Sequence, residues 1–418
     1  MEWSRHHRTV TQTLLPTGLT FRAVTDDELR GANDIFRAAL HVRPATDEFW
    51  AVLKDAYLAD RTFGAFDGDR QVGTATSFPS SLTVPGGAML PAAGVTYVGV
   101  RSDYRRRGAL TGMMRVQLED CAARGEVLAV LHASEPVIYG RFGYGIGTLA
   151  RIVKVRSPQA DVRPEVAVTG TVRLLDKDEI VPRLQAAYAA IQPTRAGLMG
   201  RPAQYWVLAY DRRLTDGYLL VAAHFTPSGE VDGWVSYEPA QNTSDDPRAG
   251  DTLRVLDFQS AHQGVANDLW RYLTGVDLVD EVIAYHRPAD EPVEEMLVNN
   301  YAVRSERDDE LWVRLVDVPT ALAGRTYGAA EPVVIEVVDS LLPNNSGRYR
   351  IGPQGIERTT EPAALTVRAE VLAMLYLGTY RASVLASIGR VTVADPAALA
   401  AADQLFAVDR PAWTGTMF

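Results

Sequence analysis

Arg105, Arg106, Arg107 and Gly108 stand together between an apolar run, Thr96–Val100, and a segment with apolar residues at 110, 113, 114, 118, 121 and 122. That second spacing is one face of a helix, and Gly125 is a common helix stop. A loop feeding a helix start points backbone N–H groups outward, and the helix dipole adds partial positive charge there. Three arginines beside such a turn make a seat for a pyrophosphate. A surface arginine cluster is more often merely solvated, and the flanking strand and helix favour the functional reading. A second group follows the apolar run Val127–Leu131: Ser134-Glu-Pro-Val-Ile138-Tyr139-Gly-Arg-Phe-Gly-Tyr144-Gly. Glycines at 140, 143 and 145 demand turn geometry and bring a ring close to a ligand. A tyrosine there can hand a proton to a departing thiolate, and the competing reading is an aromatic core residue. His132, Glu135 and the terminal carboxylate of Phe418 are candidate bases. His132 directly follows an apolar run, which favours a structural role. The sequence has no Cys/His metal cluster and no G-x-S-x-G elbow.

These residues need a strand, a loop, a helix and a second strand to hold them. The expected elements before that unit are a leading arm (1–20), a strand at Phe21–Val24, and helices at Asp26–Leu40 and Phe49–Leu58. A hairpin follows, Arg61–Asp67 with Gln71–Phe78, then strands at Ser81–Pro85 and Ala88–Leu90, and after the unit one more strand, Tyr144–Val155. The proline-bearing stretch 157–169 reads as a linker. A second block repeats the outline, with a helix over Asp176–Ile191, strands at Val172–Leu175, Tyr218–Ala223, Gly233–Tyr237 and Thr252–Asp257, a polar loop at Ala240–Asp251, and a helix at Gly264–Leu273. It lacks an Arg-x-x-Gly loop, so phosphate binding is not expected there. After the proline- and acid-rich 287–295, a third block holds strands at Leu311–Val316, Val333–Val338, Tyr349–Ile351 and Leu365–Glu370, and helices at Val371–Ile388 and Pro396–Phe406. The blocks are 1–156, 157–300 and 301–418, of mixed α/β (α+β) class. The bulky ending PAWTGTMF reads as docked rather than free.

The chain has 418 residues and a net charge of −10, which argues against a general nucleic-acid partner. No apolar run reaches the length of a membrane span, and no secretory signal is evident, so the cytoplasm is the expected location. The single cysteine, Cys121, excludes intrachain disulfides and falls on the apolar helix face.

The motifs LPAAGVTYVGV, YRRRGAL and LHASEPVIYGRFGYG, with DELWVRLVDVPTALAGRTY, YLGTYRASVLA and the terminal Phe, together resemble the enhanced intracellular survival (Eis) family of actinobacterial GNAT N-acetyltransferases. The resemblance covers essentially the whole chain. It implies tandem GNAT domains, the first active and the second degenerate, followed by a sterol-carrier-protein-like domain. It implies a homohexamer that moves acetyl from acetyl-CoA to small-molecule amines, aminoglycosides among them, with no metal. By position, Val98, Gly99, Val100, Arg105, Arg106, Gly108 and Ala109 would hold the cofactor, with Ser134 and Ile138 nearby. Tyr139 would be the general acid and the Phe418 carboxylate the base. Trp50, Thr96 and Tyr97 would line the amine pocket. Leu110 replaces the last small residue of the family loop, and Met417 stands where an acidic residue precedes the terminal Phe in the family's familiar member. Rival readings are acetylation of protein lysines or polyamine-like metabolites, and a mainly lipid-binding or scaffold role.

Overall fold

The computed structural model describes residues 13–14, 18–211, 213–214, 217, 219–241 and 250–418. The leading arm and the polar loop 240–251 fall largely outside them. The first sheet contains β1 (Thr13–Leu14), β2 (Thr20–Ala23), β3 (Thr62–Asp67), β4 (Arg70–Thr83), β5 (Met89–Val100), β6 (Leu128–Leu131) and β7 (Gly145–Ile146). The first five run as an antiparallel series, and β6 joins β5 in parallel. Helices α1 (Leu29–Ala39), α2 (Asp47–Leu53), α3 (Ala109–Ala123) and α4 (Pro136–Tyr139) complete the unit. The turn before α1 is fixed by a capping box, in which Thr25 N–H donates to Glu28 Oε2 at 2.8 Å and Arg22 clamps the same carboxylate. Thr46 caps α2 by accepting from Phe49 N, so the helix spans Asp47–Leu53 rather than the expected Phe49–Leu58.

Two expected strands merge into their neighbours. Ser81–Pro85 is the end of a continuous β4, and Ala88–Leu90 belongs to the β5 hairpin arm. Pro79 does not interrupt β4, because it can occupy a position where its missing N–H is not needed.

The second sheet is made of β8 (Leu149–Arg156), β9 (Thr171–Leu174), β10 (Leu220–Phe225), β11 (Val231–Ala240), β12 (Asp251–Ser260), β13 (Val279–Pro288) and β14 (Val303–Asp309), in the order β14-β8-β13-β12-β11-β10-β9. Helix α5 (Lys177–Ile191) and a helix at Gln263–Thr274 pack on it. The strand expected over Tyr144–Val155 is therefore two strands in two sheets. Gly147 and Thr148 turn the chain, and both their amides donate to the Leu311 carbonyl. The strand at Trp312–Leu315, here β15, inserts between β6 and β7 of the first sheet. Sheet membership thus crosses the sequence blocks: β8 comes from the first and β14 from the third, both in the central sheet, while β15 comes from the third and completes the first.

The last block forms a five-stranded sheet, with order β18-β17-β16-β19-β20, from β16 (Val333–Val338), β17 (Gly347–Gly352), β18 (Gly355–Thr359), β19 (Leu365–Arg368) and β20 (Thr392–Val393). The single helix expected over Val371–Ile388 is two, Ala369–Tyr376 and Ala382–Ser387. The chain breaks between them at Gly378, whose left-handed backbone (φ 77°) ends the first helix, and the Thr379 hydroxyl just beyond donates to the Gly147 carbonyl. Among the described residues no helix is long and apolar enough to cross a membrane.

Candidate active site

β5 carries the site's frame. Its pairing with β4 slips so that Tyr97 and Val98 together oppose Ala75, a bulge that bends the strand. Tyr97 takes a φ of 50°, an uncommon backbone state for a bulky residue. Its ring is held by stacking on Tyr57 at 4.6 Å and by an edge contact from Phe36 at 5.1 Å. Trp50 leans on Tyr57 at 5.7 Å, and the Asn33 amide donates to the Tyr57 hydroxyl. Burial pushes the Tyr97 phenol up to about 12. Trp50 and Tyr97 are thus joined into one aromatic wall through Tyr57, a residue the sequence did not single out.

Three residues before the bulge, β5 parts from β6. Their parallel pairing covers only Ala92–Gly94 against Leu128–Val130, so among the described residues the backbone from Val95 onward has no strand on that side. This gap suits an extended ligand arm that pairs as an added strand would. Val98 and Val100 are half-buried against the N-terminal core beside it.

Beyond β5 the arginine loop runs into α3. Arg106 (φ 63°) and Gly108 (φ 84°) are both left-handed. Alternation of such residues turns successive N–H groups to one side and makes an anion-binding concavity. Gly108 is the α3 N-cap, and no side chain caps the helix there. Arg105 and Arg106 are exposed and make no ion pair with any described residue. Ala109 is buried. The loop and the gap are what a coenzyme A pyrophosphate and pantetheine require, so the residues present fit an acyl-CoA.

After β6, the short α4 places Tyr139 in the N-terminal core, edge-on to Tyr144 at 6.0 Å. Burial raises its phenol to about 12, so it keeps its proton at neutral pH. Ile138 packs beside it, while Ser134 and Glu135 are exposed. Cys121 is buried, as its place on the apolar face predicts.

The C-terminal segment reaches this place from the far end of the chain. The Phe418 ring meets Phe78 at 5.1 Å and His132 at 4.8 Å, edge-on to both. Phe78 on β4 pairs with Gly94, and a Cβ on Gly94 would lie 2.3 Å from the Phe78 ring. Gly94 is in turn the last β5 residue paired to β6. The final residue therefore sits where β5 and β6 part. Thr96, two residues on, shares that face of the sheet. Two features disfavour His132 as the base: its Nε2–H donates to the Thr416 carbonyl at 2.8 Å, and burial lowers its pKa to about 4. Further back, Thr414 N and Gly415 N donate to the Glu310 carboxylate at 3.1 and 2.8 Å, and Thr148 Oγ1 donates to it at 2.9 Å. Burial raises Glu310 to about 7 against those hydrogen bonds. Phe78 and Tyr57 carried no sequence signal, since each acts through a partner distant in the chain, and Glu310 lies in the DELWVRL motif without a pattern that marks its role. Among the described residues no group of His, Cys, Asp and Glu could hold a metal ion.

A mixed sheet with a bulged strand, a splayed parallel neighbour and an arginine–glycine loop opening a helix defines a GNAT-fold acetyltransferase. Residues 20–147 and 197–315 each match a family described as Acetyltransferase (GNAT) domain, and residues 318–415 match a Sterol carrier protein domain. An uncharacterized N-acetyltransferase of Streptomyces coelicolor is 38% identical over 386 residues, 88% of this chain and 92% of that one. N-acetyltransferase Eis of Mycobacterium tuberculosis is 31% identical over 85% of this chain and 88% of its own. The crystal structure of Eis1 from Mycobacterium abscessus superimposes with a TM-score of 0.86 at 36% identity, covering 96% of this chain and all of that one. The chain belongs to the Eis family of GNAT N-acetyltransferases and is an acyltransferase.

Proposed function

We propose that the protein transfers acetyl from acetyl-CoA directly to primary amines, aminoglycosides among them, with Tyr139 as general acid and the Phe418 carboxylate as general base. The observation that carries this is the delivery of residue 418 to the parting of β5 and β6, beside the aromatic wall. Acetyl-CoA, when bound, supplies the acetyl group as a thioester. Val98, Gly99 and Val100 pair with its pantetheine arm, and Arg105, Arg106, Gly108 and Ala109 hold its pyrophosphate, with Ser134 and Ile138 flanking. Trp50, Thr96 and Tyr97 line the acceptor pocket. An amine attacks only when neutral, so a group in reach must take its proton. The Phe418 carboxylate makes no ion pair with a described residue and can accept it. The Val98 N–H polarises the acetyl carbonyl, and Tyr139 Oη–H protonates the leaving sulfur. The reading includes a homohexameric, cytoplasmic protein.

Thiol release with acetyl-CoA and a panel of aminoglycosides, polyamines and lysine peptides tests the acceptor class. Turnover of lysine peptides or polyamines alone overturns the aminoglycoside assignment. Lipid co-purifying with a chain that binds no acetyl-CoA overturns the whole reading in favour of a scaffold. Acetylated enzyme accumulating with acetyl-CoA alone overturns direct transfer. Mass photometry tests the hexamer.

A further inference from the structure

The central sheet repeats the frame of the first and then departs from it. β12 and β13 are parallel and pair from Asp251 with Val279 to Val255 with Ala284, where the pairing stops. At that point β12 carries an extra residue, Leu256, between the partners of Ser236 and Tyr237. The bulge and the parting of β5 and β6 thus have a counterpart here. The loop does not: Arg101–Gly108 separates β5 from α3, whereas only Ala261 and His262 separate β12 from the helix at Gln263–Thr274.

The central gap is filled from within the chain. Arg287 Nη1 reaches from β13 to the Phe258 carbonyl on β12 at 2.8 Å. Trp413 Nε1 donates to the His286 carbonyl at 2.6 Å. The Gly415 carbonyl accepts from Gln259 Nε2 at 2.9 Å and Arg201 Nη2 at 3.2 Å, and Arg201 Nε donates to Thr416 Oγ1 at 3.1 Å. Arg201 is itself fixed. Its side chain is fully buried, Nη1 and Nη2 bind the two Asp257 oxygens at 2.7 and 3.0 Å, and its guanidinium lies over the Tyr188 ring at 4.1 Å. Asp257 also accepts from Tyr210 Oη and Trp234 Nε1. A buried ion pair is weak evidence of stability, because desolvation opposes the attraction. A guanidinium with a fixed plane does give direction to what it binds.

We propose that the central domain is the receptor for the chain's own C-terminal segment. Its former cofactor gap holds Trp413–Gly415, and Arg201, oriented by Asp257 and assisted by Gln259, is a positioning residue for the Phe418 carboxylate. The inference rests on the reading of Phe418 as the base. The segment runs from the central gap to the N-terminal gap, so the second GNAT unit serves the first by fixing its base, and each chain binds one acetyl-CoA.

Four full-chain variants test this. Thr416→Val removes the hydroxyl at constant shape, Thr416→Ser retains it, Gln259→Leu removes a donor to Gly415, and deletion of Phe418 removes the base. Misplacing a reacting group by about 1 Å costs on the order of 10²-fold. We expect Thr416→Val and Gln259→Leu to lower kcat at pH 7 at least about tenfold on that basis, with KM for acetyl-CoA within about twofold and Thr416→Ser close to the native rate. The loss should shrink as pH rises and the acceptor amine sheds its own proton. A native kcat at pH 7 in both variants, or a loss equal at every pH, overturns the positioning role. Deletion of Phe418 separates the two ideas. A fully active deletion removes the base reading and the positioning role with it. An inactive deletion alongside native-like Thr416→Val and Gln259→Leu removes only the positioning role. Calorimetric titration should give one acetyl-CoA per chain, and two would overturn the filled gap.

Discussion

Tyr139 holds its proton more firmly than a free phenol, since burial raises it to about 12. Tyr139→Phe removes the hydroxyl and keeps the ring. We expect kcat to fall about 10²-fold, the usual worth of a general acid, with acetyl-CoA affinity unchanged by equilibrium titration. Glu310 gives a prediction about stability. Its pKa is raised by burial to about 7 in the fold and returns to the ordinary carboxylate range on unfolding, so the folded chain binds the extra proton. The stabilisation is complete below the unfolded pKa and is lost as pH rises through about 7, on the order of a few kcal/mol. Thermal melts should show Tm falling between pH 5 and 8 in the native chain, with a flatter profile in Glu310→Gln. At this scale the sequence was informative where neighbours in the chain are neighbours in space. The arginine loop and Tyr139 lie within one strand–helix–strand unit. Glu310 grips residues more than a hundred positions away, and Tyr57 meets Tyr97 only where the chain beyond α2 returns beside β5 under α1, so neither role leaves a local pattern.

The loop before α3 depends on Gly108. At φ 84° an L-residue is disfavoured by about 1–2 kcal/mol, and relief would turn the first-turn amides away from the pyrophosphate seat. Gly108→Ala should raise KM for acetyl-CoA about tenfold, which is 1.4 kcal/mol of lost binding, with a smaller change in kcat. Initial-rate kinetics at saturating acceptor check this. Most elements were legible from apolar spacing, including α1, α3 and α5, because each buries one face. The failures have specific causes. Tyr144–Val155 is apolar throughout, and nothing in it marks the Gly147–Thr148 turn that sends its halves to different sheets. Val371–Ile388 keeps helical spacing on both sides of Gly378, a left-handed stop that the apolar periodicity overrides. β13 was missed because its polar residues conceal a strand whose partners lie on both sides.

At the scale of the molecule the three sheets are sewn together. β15 closes the first sheet, β8 and β14 belong to the second although they come from the first and third blocks, and the buried Arg314 on β15 ties the first sheet to Asp339, at the end of β16 in the last sheet, at 2.6 Å. Asp339→Ala strands a buried guanidinium, a change worth about 3–5 kcal/mol. We expect it to lower Tm for the whole chain, with a single transition by scanning calorimetry rather than a separate loss in the last block. Composition and linker prolines indicated three blocks, but strand exchange between them is a matter of pairing across long separations, which periodicity does not encode.

β15 also sets an order of events in the ribosome's hands. β6 and β7 leave the exit tunnel early, yet the strand that lies between them is made roughly 165 residues later, about 10–30 s at ordinary elongation rates. For that interval the nascent first sheet shows two unsatisfied edges, the kind of surface that recruits chaperones or aggregates. Slow codons between 147 and 311 should therefore reduce soluble yield, and slow codons read once β15 has cleared the tunnel should not.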